Sequence, residues 1–301
     1  MSCAGLHNAK LCVIGVRWSD SAGQTEKWLD KLTSGFTGGR VMTEWTAETI
    51  REAYPYLYET HLHTSQGSAC GKAEGAQMAW ACKAAGYTGI FVTDHNWGGN
   101  TAVDRSLPWE EWTAEFAKGY REARAEGERL GLDVFFGWEA GFCGTEFLIY
   151  GLTPEWLAAH PQIKEADVKE QYRLVKEGGG MVVHAHPFRE EAYIPEVRLF
   201  PEFVDGVEGL NATHTSPLSL SHKSTVWDGQ ARAYAKEHGL PVTGGSDVHS
   251  TTIFGGGTAF PRKLADGQDF IKALRGGEDY VITDGVRWYA KDGRLLVQAG
   301  A

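Results

Sequence analysis

Short apolar runs recur along the chain from Tyr56 onwards, and most are followed by a longer stretch of helical pattern. The runs predict strands over 56–61, 89–93, 133–138, 147–150, 181–183, 206–210 and 240–243. The stretches between and after them predict helices over 72–85, 109–130, 166–176, 225–238 and 267–275. Strands that alternate with helices in this way favour a parallel sheet covered by helices.

Residues that can bind a metal stand at the carboxyl ends of these runs. They occur as His61-Leu62-His63, Asp94-His95, Glu139, His184-Ala185-His186 and Asp247-Val248-His249. Because a strand has a side-chain period of two, His61 and His63 should point to the same side. The carboxyl ends of barrel strands meet at one rim, whereas an open doubly wound sheet gathers ligands mainly at one switch point. We therefore expect an α/β barrel with a metal site at the C-terminal ends of its strands.

The ligand types narrow the choice of metal. A single histidine beside a strand is more often structural, but here many histidines and carboxylates share one type of position. Imidazole mixed with carboxylate suits zinc, manganese or iron. The candidate ligands are His61, His63, Asp94, His95, Glu139, His186, His214, Asp247 and His249. They exceed one tetrahedral shell, so we expect two or three divalent ions, with Glu139 as the bridging carboxylate.

Composition excludes several classes of protein. The 29 basic and 39 acidic residues give a net charge of −10, which disfavours a stable complex with long nucleic acid. The five cysteines are odd in number and lack C-x-x-C spacing, which favours a reducing compartment. No stretch reads as a signal peptide or a membrane span, so we expect a cytoplasmic protein with no membrane contact. The oligomeric state is left open.

The motifs together resemble the PHP (polymerase and histidinol phosphatase) family, which includes histidinol-phosphate phosphatases and exonuclease-like domains of bacterial polymerases. The resemblance is carried by His61-Leu62-His63-Thr64, Phe91-Val92-Thr93-Asp94-His95-Asn96, Gly137-Trp138-Glu139, His184-Ala185-His186-Pro187 and Gly245-Ser246-Asp247-Val248-His249. It spans about two-thirds of the chain and implies a distorted (β/α)7 TIM-like barrel with a trinuclear site. On this basis residues 1–55 are an extension packed on the barrel, 56–285 the barrel, and 286–301 a C-terminal hairpin of the same domain.

The resemblance also implies how the ligands divide. His61, His63, Glu139 and Asp247 would hold the first metal; Glu139, His186 and His214 the second; and His95 and His249 would serve the third. Many relatives supply another His or Asp soon after the first His-x-His, but the loop 64–70 has neither. The third site is thus weaker, uses Cys70 after Ala69, or is absent, and a plain thiol is the simpler interpretation of Cys70.

Two further residues are expected to act beside Glu139 and Asp247 in catalysis. Arg189 follows His186 closely, and a guanidinium binds phosphate oxygens with two parallel hydrogen bonds. A surface ion pair of Arg189 with Glu190 or Glu191 is the equal alternative. His184 is expected to orient a ligand or to contact substrate.

These observations predict a metal-dependent phosphoesterase, in which a metal-activated hydroxide attacks the phosphorus of a small phosphorylated metabolite or nucleotide. One alternative is a metal-dependent amidohydrolase or deaminase, but that class commonly has a bridging lysine and none stands at a strand end here. An exonuclease acting on oligonucleotide ends is another. A degenerate, non-catalytic barrel would be expected to have lost several of these ligands.

Overall fold

The computed structural model describes residues 45–298. Its α-helices are α1 (Ala47–Ala53), α2 (Gly75–Ala84), α3 (Trp109–Phe116), α4 (Lys118–Leu130), α5 (Pro154–Ala158), α6 (Val168–Glu177), α7 (Ala212–Thr215), α8 (Trp227–Glu237) and α9 (Gly267–Arg275). Its strands are β1 (Tyr56–Leu62), β2 (Gly89–Val92), β3 (Asp133–Phe142), β4 (Thr145–Tyr150), β5 (Met181–Ala185), β6 (Gly206–Asn211), β7 (Val242–Gly245), β8 (Gly256–Phe260), β9 (Val281–Asp284), β10 (Arg287–Ala290) and β11 (Leu295–Gln298). Most of the predicted N-terminal extension, residues 1–44 of 1–55, lies outside the described residues.

The described strands form a single mixed sheet in the order β11-β10-β9-β8-β1-β2-β3-β4-β5-β6-β7. Strands β1 to β3 are parallel to one another, and so are β5 to β7. Strand β4 runs antiparallel to both of its neighbours, and β8 to β11 extend the sheet from β1 as an antiparallel meander. The sheet therefore combines a largely parallel part with an antiparallel extension.

The sheet curls so that the chain beyond β7 returns to β1. Leu62 at the end of β1 forms a parallel bridge with Val248, just beyond β7. The backbone N–H of His63 donates to the Val248 carbonyl at 3.0 Å, and the Val248 N–H donates to the His61 carbonyl at 3.2 Å. This curl places the first and last ligand motifs of the sequence side by side.

The expected α/β class is confirmed, but the distorted (β/α)7 barrel is not, because the sheet has eleven strands and β4 is antiparallel. The reversal occurs at Cys143 and Gly144, whose φ angles of 51° and 86° turn the chain back directly. No helix of the described chain separates β3 from β4. Strand β8 was missed because Gly255-Gly256-Gly257 has the composition of a loop.

The predicted helix over 109–130 is two helices, α3 and α4, joined at Ala117 with ψ near 3°. The bend brings Gly119 against α2 and against the loop after β1. A Cβ on Gly75 would lie 1.9 Å from the Gly119 carbonyl oxygen, and a Cβ on Gly119 would lie 2.1 Å from Thr64 Oγ1. These contacts fix Thr64, which organises part of the site.

Apolar clusters hold the remaining layers together. Tyr58, Phe91 and Tyr150 from three strands pack with Phe270 of α9, and all four side chains are fully buried. Burying each such ring contributes about 1.5–3 kcal/mol. Ile50 of α1 packs on the antiparallel part of the sheet.

The predicted C-terminal hairpin is present as β10 and β11. Gly293, with φ 81°, lies in the turn between them, and its backbone N–H donates to the Ala290 carbonyl at 2.8 Å. Within residues 45–298, none of the helices has both the length and the apolar character to cross a membrane.

Candidate metal centre

Four side chains surround one point at the rim. His61 Nε2 lies 3.4 Å from Glu139 Oε2 and 3.5 Å from Asp247 Oδ1, and His63 Nε2 lies 3.4 Å and 3.2 Å from the same two atoms. Ligands held about 2.1 Å from one ion stand about 3.0–3.4 Å apart, depending on coordination number. These separations match a shared ligand shell. The structure thus brings together the residues expected at the first metal.

Several of these atoms lack any other partner. Among the described residues, the buried atoms without a hydrogen bond include Nε2 of His61, Nε2 of His63, Nδ1 of His95 and Oε2 of Glu139. An unsatisfied buried polar atom costs about 1–3 kcal/mol. Nitrogen lone pairs and carboxylate oxygens that converge without protons between them are satisfied by a cation. The residues present therefore fit a metal centre.

The other nitrogen of each imidazole is held by a fixed partner. His61 Nδ1 lies 2.9 Å from Glu208 Oε1, and His63 Nδ1 lies 3.0 Å from Ser68 Oγ. Glu208 also accepts the backbone N–H of His186 at 3.0 Å. Partners of this kind place the proton on Nδ1 and leave Nε2 free to bind a metal.

His95 and His249 complete one side of the cluster. Each ring stacks on His63 with 4.5 Å between centroids. His95 Nδ1 lies 3.1 Å from Glu139 Oε2, and His249 Nε2 lies 3.7 Å from Asp247 Oδ1. One nitrogen from each of His63, His95 and His249 lies within 4.8 Å of the others. This places His95 and His249 beside the first position, where the resemblance implies a third ion.

Two residues of the cluster have positive φ angles. His186 has φ 26° and Asp247 has φ 55°, a region that L-residues other than Asn and Asp seldom adopt. His186 Nε2 reaches Glu139 Oε1 at 3.1 Å as a result of this geometry. Strained residues of this kind concentrate at functional sites, where the surrounding structure fixes them.

The structure does not bring Asp94 into the cluster. Its carboxylate accepts the Thr64 backbone N–H and the Thr64 hydroxyl, each at 2.6 Å, and the Ser68 hydroxyl at 2.7 Å. Burial raises the pKa of Asp94 to about 6, against the lowering effect of these bonds. Asp94 therefore positions Ser68, which in turn contacts His63.

The structure also places His184 outside the cluster. Its ring stacks on Phe147 with 4.9 Å between centroids and lies near Phe200 and Tyr234. Burial, with a smaller effect of His186, lowers the pKa of His184 to about 3. The positive φ of His186 breaks the alternation, so the two histidines of this motif face different surroundings.

His214 and Arg189 meet at the edge of the cluster. His214 Nδ1 lies 2.7 Å from Asp228 Oδ1, while its Nε2 lies 3.3 Å from Arg189 Nη2. Arg189 Nη2 also donates to Asp247 Oδ2 at 2.6 Å. Arg189 is only 4% exposed, so the alternative of a surface ion pair with Glu190 or Glu191 is wrong.

Three carboxylates were missed in the sequence. Glu146 on β4 lies 3.6 Å from both His95 Nδ1 and His186 Nε2. Glu208 and Asp228 hold His61 and His214. Glu146 and Glu208 each interrupt an otherwise apolar or uncharged strand, and a charge in a buried strand requires a partner. That signal could have identified both.

Charged side chains in the cluster shift one another's pKa values. Burial acts to raise the pKa of Glu139, but the His61 and His95 imidazoles hold it well below its usual range. Burial acts on Asp247 in the same way, and His61 and Arg189 hold its pKa well below its usual range. Burial and the Glu139 carboxylate raise the pKa of Glu146 well above its usual range.

The cluster opens into a cavity of about 400 Å³. Cluster residues, including Glu139, Glu146 and Arg189, line it together with Cys70, Tyr193 and His222. Burial raises the pKa of the Cys70 thiol to about 12. The cavity is within the size range of small-molecule sites.

Residues 227–278, which contain Asp247 and His249, match the family model described as PHP-associated. No curated protein matches the chain.

Among solved structures, the chain shares its fold with a two-domain protein from Bacteroides vulgatus that contains a predicted PHP-like metal-dependent phosphoesterase. The two match with TM-score 0.56 and 15% identity, over 82% of this chain and 69% of that chain. PsfC from Pseudomonas syringae matches with TM-score 0.49 and 20% identity over 72% of this chain and 87% of that one. A protein from Bifidobacterium adolescentis assigned as a metal-dependent phosphoesterase matches with TM-score 0.46 and 16% identity over 72% of this chain and 95% of that one. Residues 227–278 are thus similar to the PHP-associated family, and the chain shares its fold with the Bacteroides vulgatus protein.

Proposed function

We propose that the chain is a metal-dependent phosphoesterase that hydrolyses a small phosphate ester. The observation that carries this proposal is the convergence of unpartnered imidazole and carboxylate atoms on a cavity that also contains a buried guanidinium. The Bacteroides vulgatus protein, which contains a predicted PHP-like metal-dependent phosphoesterase, agrees with it.

The proposed ligands form two or three positions. His61, His63, Glu139 and Asp247 hold the first ion, Glu139 and His186 belong to the second, and His95 with His249 serve a third. Divalent manganese, zinc or iron in these positions would lower the pKa of a bound water and offset the negative charge of the phosphate. Glu139 contributes one oxygen on the His186 side and the other toward His61, His63 and His95, which suits a bridge.

Arg189 is the proposed contact for phosphate oxygens. Its Nε and Nη2 groups face His214 and Asp247. Nη1 takes part in neither contact, and the residue lines the cavity. Anchoring one side of a guanidinium leaves the other side pre-oriented for an anion.

The cavity favours a small substrate. A space of about 400 Å³ accommodates a phosphorylated metabolite or a nucleotide. The net charge of −10 disfavours long nucleic acid. No lysine is among the described residues lining this cavity, which argues against the amidohydrolase alternative.

The test is hydrolysis by metal-reconstituted protein. Apoprotein is loaded separately with Mn²⁺, Zn²⁺ or Fe²⁺, its metal content is measured, and phosphate release is followed on a panel of phosphorylated metabolites and nucleotides. We expect two to three equivalents of metal and activity that Asp247→Asn abolishes. Less than one equivalent after loading would contradict the multinuclear centre, and deamination or amide hydrolysis without phosphate release would favour the alternative.

A further inference from the structure

The second metal position differs from the one the family resemblance implies, in which His214 joins Glu139 and His186. An imidazole nitrogen has a single lone pair, so it accepts one proton or binds one metal. Nδ1 of His214 lies 2.7 Å from the Asp228 carboxylate, which places the ring proton there. Only Nε2 remains for a metal.

That Nε2 already has a partner. The guanidinium of Arg189 faces it with Nε at 3.4 Å and Nη2 at 3.3 Å. The same Nη2 donates to Asp247 Oδ2 at 2.6 Å, in an ion pair whose two side chains are each only 4% exposed. A metal on His214 would have to displace a buried charged group from its carboxylate.

Glu146 lies beside Glu139 and His186, where it can take the place that the resemblance gives to His214 as a ligand. Its Oε2 lies 3.6 Å from His186 Nε2, while Glu139 Oε1 lies 3.1 Å from the same nitrogen. Ligands about 2.1 Å from one ion are separated by about 3.0 Å when adjacent and about 4.2 Å when opposite, so both distances fit one shell. The other oxygen, Oε1, lies 3.6 Å from His95 Nδ1.

The strand register explains why Glu146 reaches this place. Strand β4 is antiparallel to β5, and Glu146 is paired with Ala185, the residue before His186. A regular βα unit would put a helix between β3 and the next strand, whereas no helix of the described chain separates β3 from β4. The direct β3–β4 hairpin instead brings a carboxylate from a neighbouring strand to the ligand rim.

Resting on the proposed function, we infer that Glu146 completes the shell of the metal held by Glu139 and His186, and that Arg189 closes His214 to metal. Arg189 thus supplies a fixed positive charge at Asp247 and His214. Glu146 and Glu139 each have one oxygen facing His95 and the other facing His186.

The number of metal ions bound per chain tests whether Glu146 rather than His214 is the ligand, and this measurement does not depend on turnover. Wild type, Glu146→Gln, His214→Ala and His186→Ala are stripped, loaded with Mn²⁺, desalted and analysed for manganese per chain. We expect Glu146→Gln and His186→Ala each to lose about one equivalent, and His214→Ala to keep the wild-type content. Glu191→Gln is the matched control, because Glu191 pairs with His222 outside the ligand cluster.

Loss of an equivalent by His214→Ala, or full metal content in Glu146→Gln, would overturn the inference. Circular dichroism shows whether each variant is folded, and cobalt-loaded wild-type crystals provide a measurement that needs no variant. Anomalous diffraction should place an ion within bonding distance of Glu146 and none on His214. An ion on His214 would overturn the inference that Glu146 takes its place. Wild type that binds no metal would contradict the proposed function itself, whereas metal bound through His214 contradicts only this inference.

Discussion

His61 Nδ1 lies 2.9 Å from Glu208 Oε1, and both side chains are fully buried. Both Glu208 oxygens have protein partners, and the contact with Nδ1 orients the His61 ring so that Nε2 faces Glu139 and Asp247. Glu208→Gln keeps the shape while removing the charge that holds the Nδ1 proton. Losing such a partner typically weakens metal binding by about 10–100-fold. Competition with a fluorescent chelator should show that decrease.

The exposed Glu202 provides a matched control for this change. Glu202→Gln should bind metal as wild type does. Equal metal affinity in Glu208→Gln and wild type would show that the His61–Glu208 contact does not set the ligand geometry.

Glu139 is predicted to be the shared carboxylate. Glu139→Gln removes the charge between ion positions while preserving side-chain volume, so turnover should be abolished and metal content should fall. Thermal unfolding and circular dichroism would establish that the variant is folded. Hydrolysis near the wild-type rate by this variant would exclude a bridging role.

Arg189→Ala should lower kcat/KM by roughly ten- to a hundredfold, because a charge-assisted hydrogen bond contributes about 1.5–3 kcal/mol. Metal content should not fall, which separates Arg189 from the ligands. Arg189→Lys should recover part of the activity, since an ammonium lacks the planar fork. Steady-state kinetics on the best substrate found provide the measurement.

Arg129 pairs with Glu126 on the surface and provides the comparison for Arg189. Arg129→Ala should change kcat/KM little, because exposed ion pairs contribute about 1 kcal/mol or less and only to stability. Unchanged kcat/KM in Arg189→Ala would rule out phosphate binding by this residue.

Much of the residue cluster could be predicted because five motifs follow strand-like runs. His61, His63, Glu139, His186 and Asp247 meet as that pattern requires. The pattern could not separate a carboxylate that faces the rim from one that faces a loop. Asp94 follows β2 but binds Thr64 and Ser68, and that depends on the conformation of the loop rather than on spacing.

The sequence also could not show where alternation fails. The His184-Ala185-His186 spacing predicts two rings on one side, yet the positive φ of His186 separates them. Glu146 reaches the site only because β4 is antiparallel, and strand direction is set by a short turn rather than by hydrophobic period. Register and direction are tertiary properties, so these residues needed the structure.

Close backbone packing supports the site from outside. A Cβ on Gly75 would lie 1.9 Å from the carbonyl oxygen of Gly119, so Gly75→Ala must separate α2 from α4. Overpacking of this kind typically costs about 1–3 kcal/mol. Denaturant unfolding should show that loss. Gly229, in α8, has open space at its Cβ position, so Gly229→Ala should instead stabilise the protein by about 0.5–1 kcal/mol. Equal stability of Gly75→Ala and wild type would contradict the close α2–α4 packing.

His184 should make the fold sensitive to acid. Its pKa is about 3 in the folded protein, mainly because burial disfavours the charged form, and near 6.5 when unfolded. The unfolded state therefore binds more protons between these values, and stability is fully present above pH 6.5 and lost as the pH falls through the window. At pH 5 the loss is about 2 kcal/mol. His184→Leu should remove that part of the pH dependence.

The measurement is the free energy of unfolding at pH 7 and pH 5 in metal-free buffer, so that metal release does not contribute. The difference between the two pH values should be about 2 kcal/mol smaller in His184→Leu than in wild type. His238 is exposed, so His238→Leu should retain the wild-type difference. Only a group whose protonation differs between the folded and unfolded states changes how the free energy of unfolding depends on pH. An identical pH dependence in His184→Leu and wild type would therefore mean that His184 is not held neutral by its apolar surroundings.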